Sequence, residues 1–188
     1  MDTELEELRK KAYQYLNAKR IPHVAGCEQE AVRLAERWGA DPLLAAKAGI
    51  LHDITKRNSY AEHLQLCRKY QIDCDPAELA EPKLLHAKTG AAIAEAEFGM
   101  PEEVVEAIRW HTTGKPDMTL MEKILYLADY IEPTRDFDGV EKLREAAYED
   151  LDRALALALQ MSLDDLRSRG IEPFRDSIDA CNYYNRKE

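Results

Sequence analysis

The sequence predicts an all-α protein, a compact bundle of many helices. Three observations carry this. Apolar residues recur at helical spacing in segment after segment, and those segments are bounded by caps, prolines and glycines suited to helix ends. The hexad most easily mistaken for a strand, ALALAL at 154–159, consists of helix formers between helical flanks.

In chain order, Thr3 with Glu6 makes a capping-box pattern ahead of Leu5, Leu8, Ala12, Tyr15 and Leu16. Arg20 to His23 opens a second helix with Pro22 in its first turn and Gly39 as its stop, which turns His23 inward with Cys27, Ala31 and Leu34. Asp41-Pro42 caps and starts a third, LLAAKAGILHDITK, which reads as buried and delivers His52 and Asp53 at its C-terminal end. Ser59-x-x-Glu62 begins a surface helix on which His63, among polar neighbours, should face solvent. Residues 71–82 read as a connector with one short turn. An alanine-rich helix from Pro82 to Phe98 carries His86 near its start, with Gly99 as its stop. Pro101 starts a helix that ends at His111, with Val104, Val105, Ile108 and Trp110 as core candidates. Met118 to Ile131 should be a buried helix with Asp129 as the acid of its second half. Two or three more helices follow from Val140 onward.

With 188 residues, 33% charged and 45% hydrophobic, one globular domain over 1–188 is expected, its core at about 20–135 and the C-terminal helices completing it. The charged start MDTELEELRKK is no signal peptide, and no run is long enough to span a bilayer, so a cytoplasmic protein without membrane partners is expected. A net charge of −10 argues against a nucleic-acid surface, though it leaves a polyphosphate substrate open, since bound cations can reverse the field in one pocket. Cys27, Cys67, Cys74 and Cys181 form no CxxC pair and read as reduced thiols.

An ionised Asp53 in apolar surroundings must be paired or bound to metal, and the imidazole beside it is the commonest metal ligand. His23, His86, His111 and Asp129 stand in similar settings, beside small or apolar residues. A lone histidine of this kind is more often a hydrogen-bonded core residue. Together, six such side chains exceed what one tetrahedral zinc site needs, and their mixture of imidazole and carboxylate suits iron or manganese as well as zinc, so two metals are the better count. Lys56, one turn after His52, is near enough to reach a metal-bound anion or merely to be a solvated helix-end lysine. The HTTGKPD loop offers Thr112, Thr113 and Gly114, a combination that can approach phosphate or simply turn the chain.

The order His23, His52-Asp53, His86, His111, Asp129 resembles the HD-domain superfamily of metal-dependent phosphohydrolases. The phrases RIPHVAG (20–26), AGILHDITK (48–56), KLLHAKTGA (83–91), IRWHTTGKPDM (108–118) and KILYLADYIEPTR (123–135) are similar to those of its YqeK family, the symmetrical bis(5'-nucleosyl)-tetraphosphatases, which hydrolyse diadenosine tetraphosphate to two ADP. The resemblance runs from about Arg20 to Arg135. It implies that His23, His52, Asp53 and Asp129 hold one metal and that His86 and His111 hold a second, with Asp53 shared. It also implies iron as the commonest occupant of this binuclear form, in divalent or mixed-valence states, with manganese and zinc as substitutes.

Two such ions would bring the pKa of a bridging water toward neutrality, and the resulting hydroxide would attack phosphorus directly, so Asp53 and Lys56 are the expected catalytic pair. Arg20, Lys83 and Arg135 are the expected clamps on the remaining phosphates, assisted by Thr112, Thr113 and Gly114. The segment Gly170 to Arg175, GIEPFR, is a candidate lid or nucleoside contact. The partners expected are a dinucleoside polyphosphate substrate and its ADP product, with a homodimer left open. Three alternatives stand beside this reading: another HD phosphohydrolase acting on nucleotide monophosphates or cyclic dinucleotides, a di-iron oxygenase of the HD type, and a noncatalytic helical module with a structural metal.

Overall fold

Asp41 accepts hydrogen bonds from the amides of Leu43 and Leu44, and Pro42 follows with its φ already set for a helix, so the third helix starts where the sequence places it. The same logic recurs along the chain. In the computed structural model, which describes residues 2–81 and 83–186, eleven α-helices and no strand occur among the described residues. They are α1 (Asp2–Ala12), α2 (Ile21–Trp38), α3 (Pro42–Leu51), α4 (Tyr60–Lys69), α5 (Pro76–Ala80), α6 (Leu85–Ala96), α7 (Glu102–Trp110), α8 (Leu120–Ile131), α9 (Val140–Glu149), α10 (Leu151–Ser168) and α11 (Arg175–Asn185).

Several boundaries differ from those read in the sequence, for local reasons. The first helix already begins at Asp2, so Thr3 lies within it instead of capping it. The connector after α4 contains α5, closed by a capping box in which Asp75 accepts from the Glu78 amide and Glu78 reaches back to the Asp75 amide. A second unexpected box, Thr119 with Glu122, starts α8 two residues later than Met118. The alanine-rich helix begins at Leu85; Pro82, its expected start, lies outside the described residues. Gly39 ends α2 at φ 80°, a conformation that glycine adopts without strain.

The core is centred on α2, which packs along α3 and α8, while α7 lies against α3, α6 and α8. Leu34, Ile50, Leu51, Ile108, Leu125 and Leu127 are fully buried in it, each contributing roughly 1.5–3 kcal/mol of transfer free energy. Small residues set how closely α2 and α3 approach: a Cβ on Gly49 would lie 2.6 Å from Cα of Glu28. That approach brings the ends of α2 and α3 together. The pair α10 and α11 covers the bundle from the α8 side, with Tyr184 fully buried and its hydroxyl accepting from the Met118 amide.

One expectation fails on burial. His63 is only 2% exposed, and its Nδ1 lies 3.0 Å from the Thr89 hydroxyl, which itself donates to the Leu85 carbonyl at 2.8 Å. Polar sequence neighbours misled here, because Glu62 and Gln65 point away while His63 turns toward α6.

Candidate metal centre

Five elements deliver the site. His23 comes from the first turn of α2, His52 and Asp53 from the turn that leaves α3, His86 from the start of α6, His111 from the end of α7 and Asp129 from the last turn of α8. The four imidazoles stand in a row, edge to face: His23 to His52 with centroids 5.3 Å apart, His52 to His111 at 5.2 Å, His111 to His86 at 4.9 Å. Asp53 lies alongside this row. Its Oδ2 is 3.4 Å from His52 Nε2 and 3.7 Å from His23 Nε2, while its Oδ1 is 3.3 Å from His86 Nε2 and 3.7 Å from His111 Nε2.

Two groups of donors result, His23 with His52 and Asp129, and Asp53 with His86 and His111, each with donor atoms within 4.8 Å of one another. The chemistry of these donors fits cations. Every imidazole has an oxygen acceptor at Nδ1: Glu132 Oε1 at 3.0 Å for His23, the Gly49 carbonyl at 2.7 Å for His52, the Lys83 carbonyl at 2.5 Å for His86 and the Ile108 carbonyl at 2.6 Å for His111. With the proton held at Nδ1, all four Nε2 lone pairs converge, and His23 Nε2 faces His52 Nε2 at 3.2 Å while His86 Nε2 faces His111 Nε2 at 3.1 Å. Facing lone pairs repel unless a positive charge sits with them. Asp53 Oδ1 is buried without a hydrogen-bond donor, which asks for the same thing.

Burial and neighbouring charges set four of the six donors in their metal-binding form. Burial, then the Lys56 ammonium, lower the His86 imidazole to about 4, and burial lowers His111, so both favour the neutral form that binds metal. Burial alone would raise the two carboxyls, but His52, His111 and His86 hold Asp53 well below its usual range, and His23, His52 and Arg135 do the same for Asp129. The two carboxylates are therefore ionised at neutral pH; at His52 burial would lower the imidazole, but Cys27 and Asp53 raise it well above its usual value.

Three cations crowd the centre. Arg20 pairs with Asp53 Oδ2, its Nε at 2.6 Å; Arg135 donates to Asp129 Oδ1 and to the Asp129 carbonyl at 2.6 and 2.8 Å; Lys56 Nζ is 2.9 Å from His86 Nε2 and 3.8 Å from Asp53 Oδ1. Burial lowers the Lys56 ammonium. Thr112 Oγ1 lies 3.2 Å from His86 Nε2.

One cavity opens on this centre, and a second, larger one adjoins it at Lys56 and Thr112. The larger, about 820 Å³, is lined by Lys83, Leu84 and Leu166 together with Ile171 to Arg175 of the GIEPFR segment. The smaller, about 570 Å³, is lined by His111, Asp129, Arg135, Tyr126, Tyr130 and Phe137. Lys56, Thr112 and Ser162 line both. Of the loop residues singled out in the sequence, Thr113 and Gly114 line neither: Thr113 is buried and bonds the Gly114 carbonyl, and Gly114 packs toward Leu159, Ala180 and Met118. Glu132, fully buried behind His23, and Ser162, between the cavities, were not anticipated. For Glu132 a signal existed, an acid closing an apolar helix immediately before Pro133; for Ser162, far along the chain, none did.

The HD domain model matches residues 20–134. The chain is 38% identical to "Bis(5'-nucleosyl)-tetraphosphatase, symmetrical" of Bacillus subtilis over 90% of its own length and 91% of the relative's. It is 35% identical to the protein of the same name from Staphylococcus aureus, over 96% and 94% of the two chains. A crystal structure from Clostridium acetobutylicum, described as a predicted HD superfamily hydrolase involved in NAD metabolism, superposes with a TM-score of 0.93 at 34% identity, covering 97% of each chain. The chain belongs to the HD-domain hydrolases. Within them it belongs to the same family as the symmetrical tetraphosphatases of Bacillus and Staphylococcus. Among the described residues no helix is long and apolar enough to cross a membrane.

Proposed function

We propose that this hydrolase cleaves diadenosine tetraphosphate symmetrically to two ADP, with water attacking phosphorus at the centre between the two donor groups. One observation carries the reading: the Asp53 carboxylate turns Oδ2 to the His23–His52 pair and Oδ1 to the His86–His111 pair, as a ligand shared by two ions would. Two divalent ions, when bound, supply Lewis acidity toward phosphoryl oxygens and an acidified water. The mixed imidazole and carboxylate set accepts iron, manganese or zinc, and iron is the occupant that the resemblance favours.

The chain's own residues do the rest. His23, His52 and Asp129 hold one ion and His86 and His111 the other, their Nδ1 bonds keeping each ring in the binding tautomer. Lys56 and Thr112, at the junction of the cavities, meet the phosphoryl group undergoing attack, and Lys56 offsets its developing charge. Arg135 in the smaller cavity and Lys83 in the larger clamp the flanking phosphates, and Arg20, paired with Asp53 Oδ2, adds positive charge beside the centre. A substrate with a nucleoside at each end suits two cavities that meet at Lys56, Thr112 and Ser162, since Phe174 in one and Tyr126, Tyr130 and Phe137 in the other offer apolar, aromatic walls to purines.

The test is a nucleotide panel. Metal-loaded protein is incubated with diadenosine tetraphosphate, nucleoside monophosphates, cyclic dinucleotides and pyridine dinucleotides, and products are separated by chromatography. Preferential turnover of diadenosine tetraphosphate is the expected outcome. Turnover of another class alone would move the assignment to a different HD phosphohydrolase, and oxygen-dependent turnover to an oxygenase.

A further inference from the structure

Three of the four histidines in the row hand their Nδ1 proton to a main-chain carbonyl three residues back, but His23 does not. Its acceptor is a carboxylate 109 residues further along the chain, Glu132 Oε1 at 3.0 Å. Glu132 is itself 0% exposed, so its charge has no water to lean on. It is held instead by a turn made for it: the Thr134 amide donates to Oε2 at 2.7 Å and the Thr134 hydroxyl to Oε1 at 2.5 Å, while the Arg135 guanidinium stands 3.8 Å away. Burial would push the Glu132 carboxyl up, but the Thr134 bonds and His23 keep it below its usual range. Room is kept for it as well. A Cβ on Gly26, one turn along α2 from His23, would collide with Glu132 Oε2.

A buried carboxylate is expensive unless it does something for its partner. A carbonyl would suffice to fix a tautomer, as it does for the other three rings. A carboxylate in addition makes the imidazole a more basic donor, and partners of this kind typically tune metal affinity by about 10–100-fold. Resting on the metal centre assigned above, we propose that Glu132 is a positioning residue that sets the affinity of the His23–His52–Asp129 site for its ion, with Gly26 and Thr134 as the parts that hold it in place. The His86–His111 site contains no counterpart among these Nδ1 contacts. The two sites are therefore unequal by construction.

The experiment is manganese(II) binding to metal-free protein, followed by electron paramagnetic resonance of the free ion, with thermal unfolding of the metal-free proteins in parallel. Glu132→Ala should weaken one of the two sites by about 10–100-fold and leave the other within about twofold. Glu132→Gln, which keeps an acceptor but drops the charge, should fall between. Because Glu132→Ala removes a buried group and can compromise folding, Thr134→Val is the second variant: Thr134 is exposed, and loss of its hydroxyl should weaken the same site by a smaller factor without lowering the melting temperature of the metal-free protein. Wild-type affinity retained at each site in the folded Glu132→Ala or Thr134→Val protein overturns the assignment of Glu132 alone. A wild-type protein that binds no manganese contradicts the metal centre itself, and this inference with it.

Discussion

Oδ1 of Asp53 lies 3.3 Å from Nε2 of His86, and both atoms are buried. The opposite carboxylate oxygen lies 3.4 Å from His52 Nε2 and 3.7 Å from His23 Nε2, so one side chain reaches toward both ends of the histidine row. On the proposed assignment, loss of Asp53 removes a ligand from two places at once, whereas loss of His86 empties only one.

Asp53→Ala should abolish activity and deplete both metals, and His86→Ala should lose the second metal preferentially. Elemental analysis of purified protein checks this. Full double occupancy in Asp53→Ala would sink the shared-ligand assignment.

Lys83→Ala should lower kcat/KM by roughly tenfold, about 1.4 kcal/mol, while leaving metal content unchanged, because its side chain lines the larger cavity and touches no donor atom of the centre. Arg135→Ala should also slow turnover with the metals in place, since removing the guanidinium from Asp129 deletes no ligand. Steady-state kinetics beside elemental analysis separates the two effects; metal loss from Lys83→Ala would contradict its placement.

His63→Gln should cost about 1 kcal/mol at pH 7.5 through the lost Thr89 contact. Burial lowers the His63 imidazole, with Glu62 raising it and Lys56 lowering it further. A base depressed on folding contributes stability that is fully present above its unfolded pKa, near 6.5, and that is lost as pH falls from there through the folded value. The stability gap between wild type and His63→Gln should therefore narrow from pH 7.5 to pH 5 in denaturant unfolding; a constant gap would count against the linkage. Metal content should stay near that of wild type, because His63 touches no donor atom of the centre.

Much of this architecture could be read from the chain because its signals are local. Asp41-Pro42, Gly39, and Ser59 with Glu62 each act within one turn, and each forms as expected. The six converging side chains were legible as an ordered set, since each lies beside small apolar residues. What stayed hidden depends on which distant surface a residue meets. His63 looks polar in sequence yet turns to Thr89, Glu132 meets His23 only across 109 residues, and the cavity walls that α10 supplies, Ser162 among them, carry no local sign of that role, whereas the GIEPFR segment after it was legible as a candidate contact. Thr113 and Gly114 show the converse, a hydroxyl and a glycine of the kind that can approach phosphate or simply turn the chain, in a loop whose second half packs inward.

The most direct test of the account is hydrolysis of diadenosine tetraphosphate in water enriched in heavy oxygen, read by mass spectrometry. Attack by water on phosphorus at the centre predicts ADP as the sole product, one labelled oxygen per substrate cleaved, and no phosphate bound to protein. AMP together with ATP, or label-free ADP, would contradict it.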